Sequence, residues 1–157
     1  MTPADWPEVA RIYEEGIATG LATFEIQVPS WKEWDAARLF HSRLVARCER
    51  VLGWATLSFV SKRPCYIGVA EVGIYVSPLM RGCGVGRALL DALIESSEEH
   101  GVWTLQAATI EENSPSLGLL AQCGFRVVGR RERIGKLGGI WRNTVLTERR
   151  SKMVGTD

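Results

Sequence analysis

Apolar side chains recur at helical spacing in four segments of the chain. The first stripe, over 6–13, follows Thr2-Pro3-Ala4-Asp5, which offers an N-cap, a proline at the first helical position and an acid in the first turn. Ser30-Trp31-Lys32-Glu33 has the residues of a capping box. It therefore predicts the start of a second helix, with apolar positions continuing to Leu39.

The remaining apolar residues predict two more helices and six strands. Residues 85–101 and 114–123 have helical spacing, and each segment ends at a glycine suited to stop a helix. Runs rich in β-branched and aromatic residues predict strands over 44–48, 51–59, 70–76, 102–109, 125–131 and 141–148. The first two strands are expected to form a hairpin, and a loop over 135–139 is expected to join the last two.

Length and composition indicate a single globular domain. The chain has 157 residues, 46% of them hydrophobic and 24% charged, and shows no internal repeat or linker. Residues 1–150 are expected to form one α+β domain, whereas 151–157 lack periodicity and are expected to be a flexible tail. The net charge of +1 argues against a general nucleic-acid binder.

The cysteines and the apolar runs give a prediction of compartment. The four cysteines form no C-x-x-C pair and have no histidines at metal spacing, so no metal is expected. No apolar stretch reaches membrane-spanning length, and the N-terminus does not resemble a signal peptide. These features predict a cytoplasmic protein without a membrane partner.

A glycine-rich junction, Arg81-Gly82-Cys83-Gly84-Val85-Gly86, joins the extended run 70–76 to a helix. Unpaired N–H groups at a helix start attract anions, and missing side chains let a phosphate approach the backbone. The dinucleotide pattern would need glycine where Arg87 stands, and the Gly-Lys-Ser/Thr of triphosphate loops is absent. The junction therefore indicates a phosphate site of another kind, with a purely structural turn as the alternative.

Arg-x-x-Gly-x-Gly at a strand-to-helix junction resembles the pyrophosphate loop of the GNAT superfamily of N-acetyltransferases. The chain is similar to the phosphinothricin acetyltransferase branch over nearly its whole length. The matching segments are Ala22-Thr23-Phe24-Glu25, 70–78, the glycine loop, Asn113-x-x-Ser116, Cys123-Gly124-Phe125 and Trp141-Arg142-Asn143-Thr144. This resemblance implies a mixed, mostly antiparallel sheet that splays between two parallel strands, 70–76 and 102–109, with about four flanking helices.

The same resemblance implies acetyl-coenzyme A as co-substrate. A pantetheine arm can complete an open strand edge as an added strand does. The residues that would bind the coenzyme are Ile74, Tyr75 and Val76 through their backbones, Arg81, Gly82, Cys83, Gly84, Val85, Gly86 and Arg87 at the pyrophosphate, and Asn113 near the thiol. An ordinary N-cap role for Asn113 is the compatible alternative.

Amide formation requires a neutral amine, and alkyl amines are mostly protonated at pH 7. The family places its general base at the position of Glu71, which would act directly or through water; a solvated strand-end carboxylate is the alternative. Glu25 is a second candidate, with a capping role as its alternative. The N–H near Val76 would stabilise the oxyanion of the tetrahedral intermediate.

The acceptor is expected to lie between the first two helices and the segment 59–66. Phe24 and Glu25 would line this side, and Lys62 and Arg63 would bind a carboxylate of an amino-acid-like substrate. A solvated basic loop is the alternative for the last two residues.

Two positions depart from the branch, since Leu120 and Gly138 stand where it commonly has histidine. They weaken an assignment of phosphinothricin itself as the acceptor.

The predicted function is transfer of acetyl to the amine of a small amino-acid-like acceptor by direct attack. The alternatives are a protein or polyamine acetyltransferase and a non-catalytic acyl-coenzyme A sensor.

Thr2 leaves no room for the short first strand of relatives, and the exposed sheet edge predicts a homodimer.

Overall fold

Four α-helices and six strands lie within residues 1–156, the part of the chain that this computed structural model describes. The helices are α1 (Trp6–Ala18), α2 (Trp31–Ala36), α3 (Val85–Glu99) and α4 (Ser114–Gln122). The strands are β1 (Leu44–Arg47), β2 (Val51–Phe59), β3 (Val69–Val76), β4 (Thr104–Ile110), β5 (Arg126–Leu137) and β6 (Ile140–Arg150). The predicted α+β class is confirmed.

One mixed sheet has the strand order β1-β2-β3-β4-β6-β5, and only the β3–β4 pair is parallel. That pair is short. Its register runs from Val69 opposite Thr104 to Glu71 opposite Gln106, and beyond this point the two strands no longer pair. The predicted splay between two parallel strands is therefore confirmed.

Local sequence signals predict where the helices start more accurately than where they end. The Ser30 hydroxyl accepts the Glu33 N–H at 3.3 Å, and the Glu33 carboxylate accepts the Ser30 N–H at 2.9 Å, as in a capping box. The helix expected to reach Leu39 instead ends at Ala36. Leu39 leaves the helix because its N–H donates to the Leu57 carbonyl of β2 at 2.8 Å.

The sheet separates two hydrophobic layers. On one face, α3 and α4 bury a mainly aliphatic cluster around Leu90 and Leu93. On the other face, α1 and α2 pack an aromatic cluster in which Tyr13, Trp34 and Trp54 are buried. The cleft described below opens between these layers, where β3 and β4 diverge.

The hairpin of β5 and β6 is longer and tighter than predicted. The two strands extend to Leu137 and Ile140, so the connection is Gly138-Gly139 alone and not a loop over 135–139. Both glycines have positive φ, 56° and 81°, as a two-residue hairpin turn of the primed type requires. The polar composition of 132–137 concealed this extension.

Both ends of the described chain contact the domain. The Met1 ammonium donates to the Arg43 carbonyl at 2.9 Å, and the buried Ser151 hydroxyl donates to Glu98 at 2.8 Å. A flexible tail over 151–157 stays a prediction, and Asp157 lies outside the described residues. None of the helices in residues 1–156 has the length and apolar character needed to cross a membrane.

Candidate active site

A cleft of about 650 Å³ opens where β3 and β4 diverge. Its walls are Val72–Val76 of β3, Ala107–Thr109 of β4, and the facing ends of three helices. The start of α3 and the start of α4 close one side, and the end of α1 with the loop that follows closes the other. The cleft therefore joins the glycine junction to the aromatic layer.

The strand edge inside the cleft belongs to Ile74 and Val76. Ser77 donates its N–H to the Leu52 carbonyl of β2 at 2.9 Å, and backbone groups alternate between the two edges of a strand. Ile74 and Val76 therefore turn their N–H and C=O groups toward the gap beside β4. The backbone of Tyr75 faces Trp54 of β2 in the paired register, which corrects the expectation that it binds the coenzyme.

At the glycine junction the backbone turns through two left-handed glycines, Gly82 (φ 74°) and Gly84 (φ 82°). A Cβ at either position would meet no atom within 4 Å, so open space lies before the loop. Within residues 1–156, the N–H groups of Gly84, Val85, Gly86 and Arg87 donate to no protein atom. The junction thus has the donors, the helix dipole and the room that a phosphate needs.

The side chains around the junction differ in how far they are free to contact a ligand in the cleft. Arg81 and Arg87 line the cleft, and Arg87 donates from Nε to Asp91 at 2.6 Å, which raises the pKa of Arg87. The Cys83 thiol is exposed and directed at the Arg81 carbonyl, 3.7 Å away. Val85 packs its side chain into the aliphatic core and offers only its N–H to the cleft.

Gly86 allows α3 and α4 to approach each other. A Cβ at this position would lie 3.1 Å from Leu119 Cδ2 and 3.5 Å from Val76 Cγ2. The third glycine therefore serves helix packing, whereas Gly82 and Gly84 serve the turn.

The proposed base, Glu71, lies at the last paired position before the splay. Its carboxylate accepts a hydrogen bond from Gln106 Nε2 at 2.8 Å, across the β3–β4 register pair. The side chain is half-buried and does not line the cleft, although the next residue, Val72, does. A water molecule would have to connect the carboxylate to an amine in the cleft.

Asn113 links the two walls of the cleft. Its Oδ1 accepts the Ser116 N–H at 3.3 Å as the N-cap of α4, which confirms that alternative. Its Nδ2 donates to the Leu21 carbonyl at 3.2 Å in the loop after α1. One amide hydrogen remains for a ligand, since an amide nitrogen carries two.

The structure does not bring the four expected acceptor residues into the cleft. Lys62 and Arg63 are exposed, and Arg63 lies over the Tyr66 ring at 5.7 Å. Glu25 is exposed, and its N–H donates to Thr23 Oγ1 at 3.1 Å. Phe24 packs beside Gly135 of β5. Neither α2 nor the segment 59–66 lines this cleft, so their place at the acceptor stays a prediction.

The end of the cleft beside α1 is built by residues that the sequence interpretation missed. Thr19, Leu21 and Ala22, at the end of α1 and just after it, line the cleft, as does Gly16. A Cβ on Gly16 would lie 2.7 Å from Tyr75 Cδ1, so this helical glycine lets the tyrosine ring pack against α1. A glycine on the buried side of an amphipathic helix was the available signal.

The Tyr75 side chain forms the aromatic floor of this half of the cleft. It stacks on Trp54 with ring centroids 4.5 Å apart and meets Tyr13 edge-on at 4.9 Å. Burial raises the pKa of both tyrosines, so their hydroxyls stay neutral at physiological pH. The floor is therefore apolar with uncharged polar tips.

The two departures from the branch have different structural causes. Leu120 is buried in the aliphatic core and also borders the cleft, so it adds an apolar surface there. Gly138 occupies the left-handed hairpin turn, where other residues are strained.

Residues 6–125 match the sequence model described as the acetyltransferase (GNAT) family. The chain belongs to the GNAT acetyltransferases. Its likeness to the phosphinothricin acetyltransferase branch is also confirmed, because a phosphinothricin N-acetyltransferase of Alcaligenes faecalis is 35% identical over 92% of this chain and 77% of the relative.

Two further proteins similar to this GNAT enzyme support the same family and branch. An L-methionine sulfoximine/L-methionine sulfone acetyltransferase of Pseudomonas paraeruginosa is 33% identical over 88% of this chain and 84% of the relative. A phosphinothricin acetyltransferase from Sinorhizobium meliloti, solved in complex with acetyl-coenzyme A, superposes with a TM-score of 0.90 at 28% identity. That match covers 100% of this chain and 89% of the other.

Proposed function

We propose that this GNAT enzyme transfers acetyl from acetyl-coenzyme A to the primary amine of a small amino-acid-like acceptor. The observation that carries the proposal is one continuous cleft, in which an anion cradle at the start of α3 leads to the open edge of β3. The relatives named for acetylating phosphinothricin and methionine sulfoximine support the acceptor class.

Each part of the cleft fits one part of the coenzyme. The N–H groups of 84–87 and the side chains of Arg81 and Arg87 hold the pyrophosphate. The backbone of Ile74 and Val76 pairs with the peptide-like arm, and the free amide hydrogen of Asn113 faces its thiol end. Bound acetyl-coenzyme A supplies an acyl group activated as a thioester.

Glu71 prepares the amine for attack. Through a water molecule, the carboxylate takes a proton from the acceptor ammonium, and Gln106 fixes the orientation of the carboxylate. The N–H of Val76 points into the gap and stabilises the negative oxygen that forms during attack. When this intermediate collapses, its C–S bond breaks, and the coenzyme A thiolate leaves with the second proton of the attacking nitrogen. The tyrosine hydroxyls of the floor are uncharged, so they form no ion pair with the acceptor ammonium that would oppose its deprotonation.

The compartment proposed is the cytoplasm. Cys48, Cys65 and Cys83 are exposed free thiols, which a reducing environment preserves. No metal is required by any of these steps.

A thiol-release assay tests the function. With acetyl-coenzyme A, we expect the protein to release free coenzyme A fastest with carboxylated amino-acid analogues, more slowly with polyamines and peptides. Preference for a polyamine or a peptide would replace the acceptor class with one of those alternatives. Tight coenzyme binding by calorimetry without thiol release for any acceptor would indicate a sensor.

We further propose a homodimer. β1 and β5 are the free edges of the sheet, and the β5–β6 hairpin exposes Val127, Ile140 and Trp141 at 65%, 58% and 52%. Exposed apolar surface beside a free edge favours association with a second copy. We expect sedimentation at micromolar concentration to give twice the 17.4 kDa of one chain; a single species at 17.4 kDa would contradict the proposal.

A further inference from the structure

A bulge in β5 places an arginine in a conformation that arginine rarely adopts. The register of β5 against β6 shifts between Arg131 and Gly135. Within the bulge Arg133 has a φ of 46°, in the left-handed region that favours glycine. Such strain costs folding free energy and persists only where neighbouring groups impose it.

A chain of hydrogen bonds imposes this conformation. The Arg133 N–H donates to Asn143 Oδ1 at 2.9 Å, and Asn143 Nδ2 donates to Glu111 Oε2 at 2.9 Å. Arg130 binds the same carboxylate through two nitrogens, with its Nη2 3.0 Å from Oε2. Arg130 and Asn143 together lower the pKa of Glu111, which keeps the network charged. One hydrogen bond from Asn143 therefore holds the bulge backbone, and Glu111 in turn orients Asn143.

The bulge lies beside the acceptor end of the cleft. A Cβ on Gly135, the first residue to pair with β6 again after the bulge, would lie 2.7 Å from Phe24 Cε1, so the Phe24 ring rests on β5. Phe24 follows Leu21 and Ala22, which line the cleft. From the other side, Glu111 stands two residues before Asn113, which binds the Leu21 carbonyl.

An open polar depression of about 450 Å³ lies on the surface at the bulge, lined by the exposed Arg130, Glu132 and Arg133 and by the half-buried Asn143. Arg130 is neutralised by Glu111 and by Glu132, whose Oε1 it approaches at 2.5 Å. Arg133 forms no ion pair within residues 1–156. The depression thus presents one exposed guanidinium without an acidic partner among residues 1–156, on a backbone whose N–H is bound by Asn143.

We propose that the Arg133 guanidinium binds the carboxylate of the acceptor and so determines its specificity. The inference rests on the proposed function and names the group that recognises an amino-acid-like substrate. A guanidinium pairs with a carboxylate through two parallel hydrogen bonds, which fixes both position and orientation. This assignment takes the place of Lys62 and Arg63, which line neither the cleft nor the neighbouring depression at the bulge.

The experiment compares L-methionine sulfone with its carboxamide as acceptors. Arg133→Gly removes the guanidinium and also relieves the strain, so it should fold at least as well as the wild type. For this variant we expect KM for the acid to rise about 10- to 100-fold with kcat nearly unchanged, while KM for the carboxamide stays the same. Arg133→Lys should recover part of the loss, because it restores the charge without the fork.

Arg131→Ala is the matched control, since Arg131 is an exposed arginine of the same strand, paired in register with Thr144. Its KM for both acceptors should be that of the wild type. An unchanged KM for the acid in Arg133→Gly, or equal wild-type KM values for acid and carboxamide, would overturn the subsite alone. Wild type that binds acetyl-coenzyme A but acetylates neither acceptor would overturn the proposed function, and the subsite with it.

Discussion

Glu71→Gln should acetylate its acceptor about a hundredfold or more slowly than the wild type while binding acetyl-coenzyme A with the same affinity. The amide has nearly the shape of the carboxylate, and its oxygen can still accept the hydrogen bond from Gln106. It cannot take a proton from an ammonium. The loss should be largest at low pH, where the acceptor is most completely protonated, and kcat/KM profiles from pH 6 to 9 together with calorimetry measure both effects.

Glu25→Gln is the control for this result, because Glu25 is the other carboxylate considered for the role. It is exposed, its backbone N–H donates to Thr23, and its carboxylate accepts no hydrogen bond within residues 1–156. Its rates should match the wild type. A Glu71→Gln profile that overlays the wild type across the whole range would remove Glu71 from the mechanism, and a selective loss in Glu25→Gln would transfer the role.

Gly84→Asp should abolish coenzyme binding, with Kd rising at least about a hundredfold. The position has a φ of 82°, which aspartate and asparagine tolerate better than other residues with a Cβ. No protein atom lies within 4 Å of the added Cβ, so the fold should accept the side chain. The new carboxylate would occupy the space of the pyrophosphate and repel it. Calorimetry with acetyl-coenzyme A measures the loss.

Gly101→Asp separates this effect from backbone strain. Gly101 follows the other end of α3, with a φ of 75° and equally open space around its Cβ. Its variant should lose a similar amount of thermal stability and keep coenzyme affinity. Gly84→Asn should weaken binding less than Gly84→Asp, because it adds bulk without charge. Normal binding by Gly84→Asp would move the phosphate site away from the start of α3.

Local sequence signals predicted the parts of the fold that short-range chemistry determines. The capping box at Ser30 and the glycine after α3 act within a few residues, so their positions could be read directly. The β5 bulge could not be read in this way. Its register depends on Asn143 and Glu111, which are distant in sequence, and its exposed residues carry no apolar period.

The same division holds for the candidate site. The anion cradle is contiguous from Arg81 to Arg87, and its conformational demands are visible as glycines. The end of the cleft beside α1 depends on the packing of α1 against Tyr75, and no local pattern specifies which loop that packing presents. Positive charge at Lys62 suggested a carboxylate partner, yet charge alone does not specify the direction of a side chain.

Each of the two strands that wall the cleft pairs with another strand along its other edge. β3 pairs with β2 through seven residues and β4 pairs with β6 through seven, so neither strand can swing across the gap to complete the ladder. The conformational entropy of the open edge is therefore lost during folding, before any ligand arrives. The conformational entropy that is lost on binding is then mainly that of the flexible arm of the ligand. We therefore expect the open edge to act as a rigid template, on which binding orders the ligand more than it changes the protein.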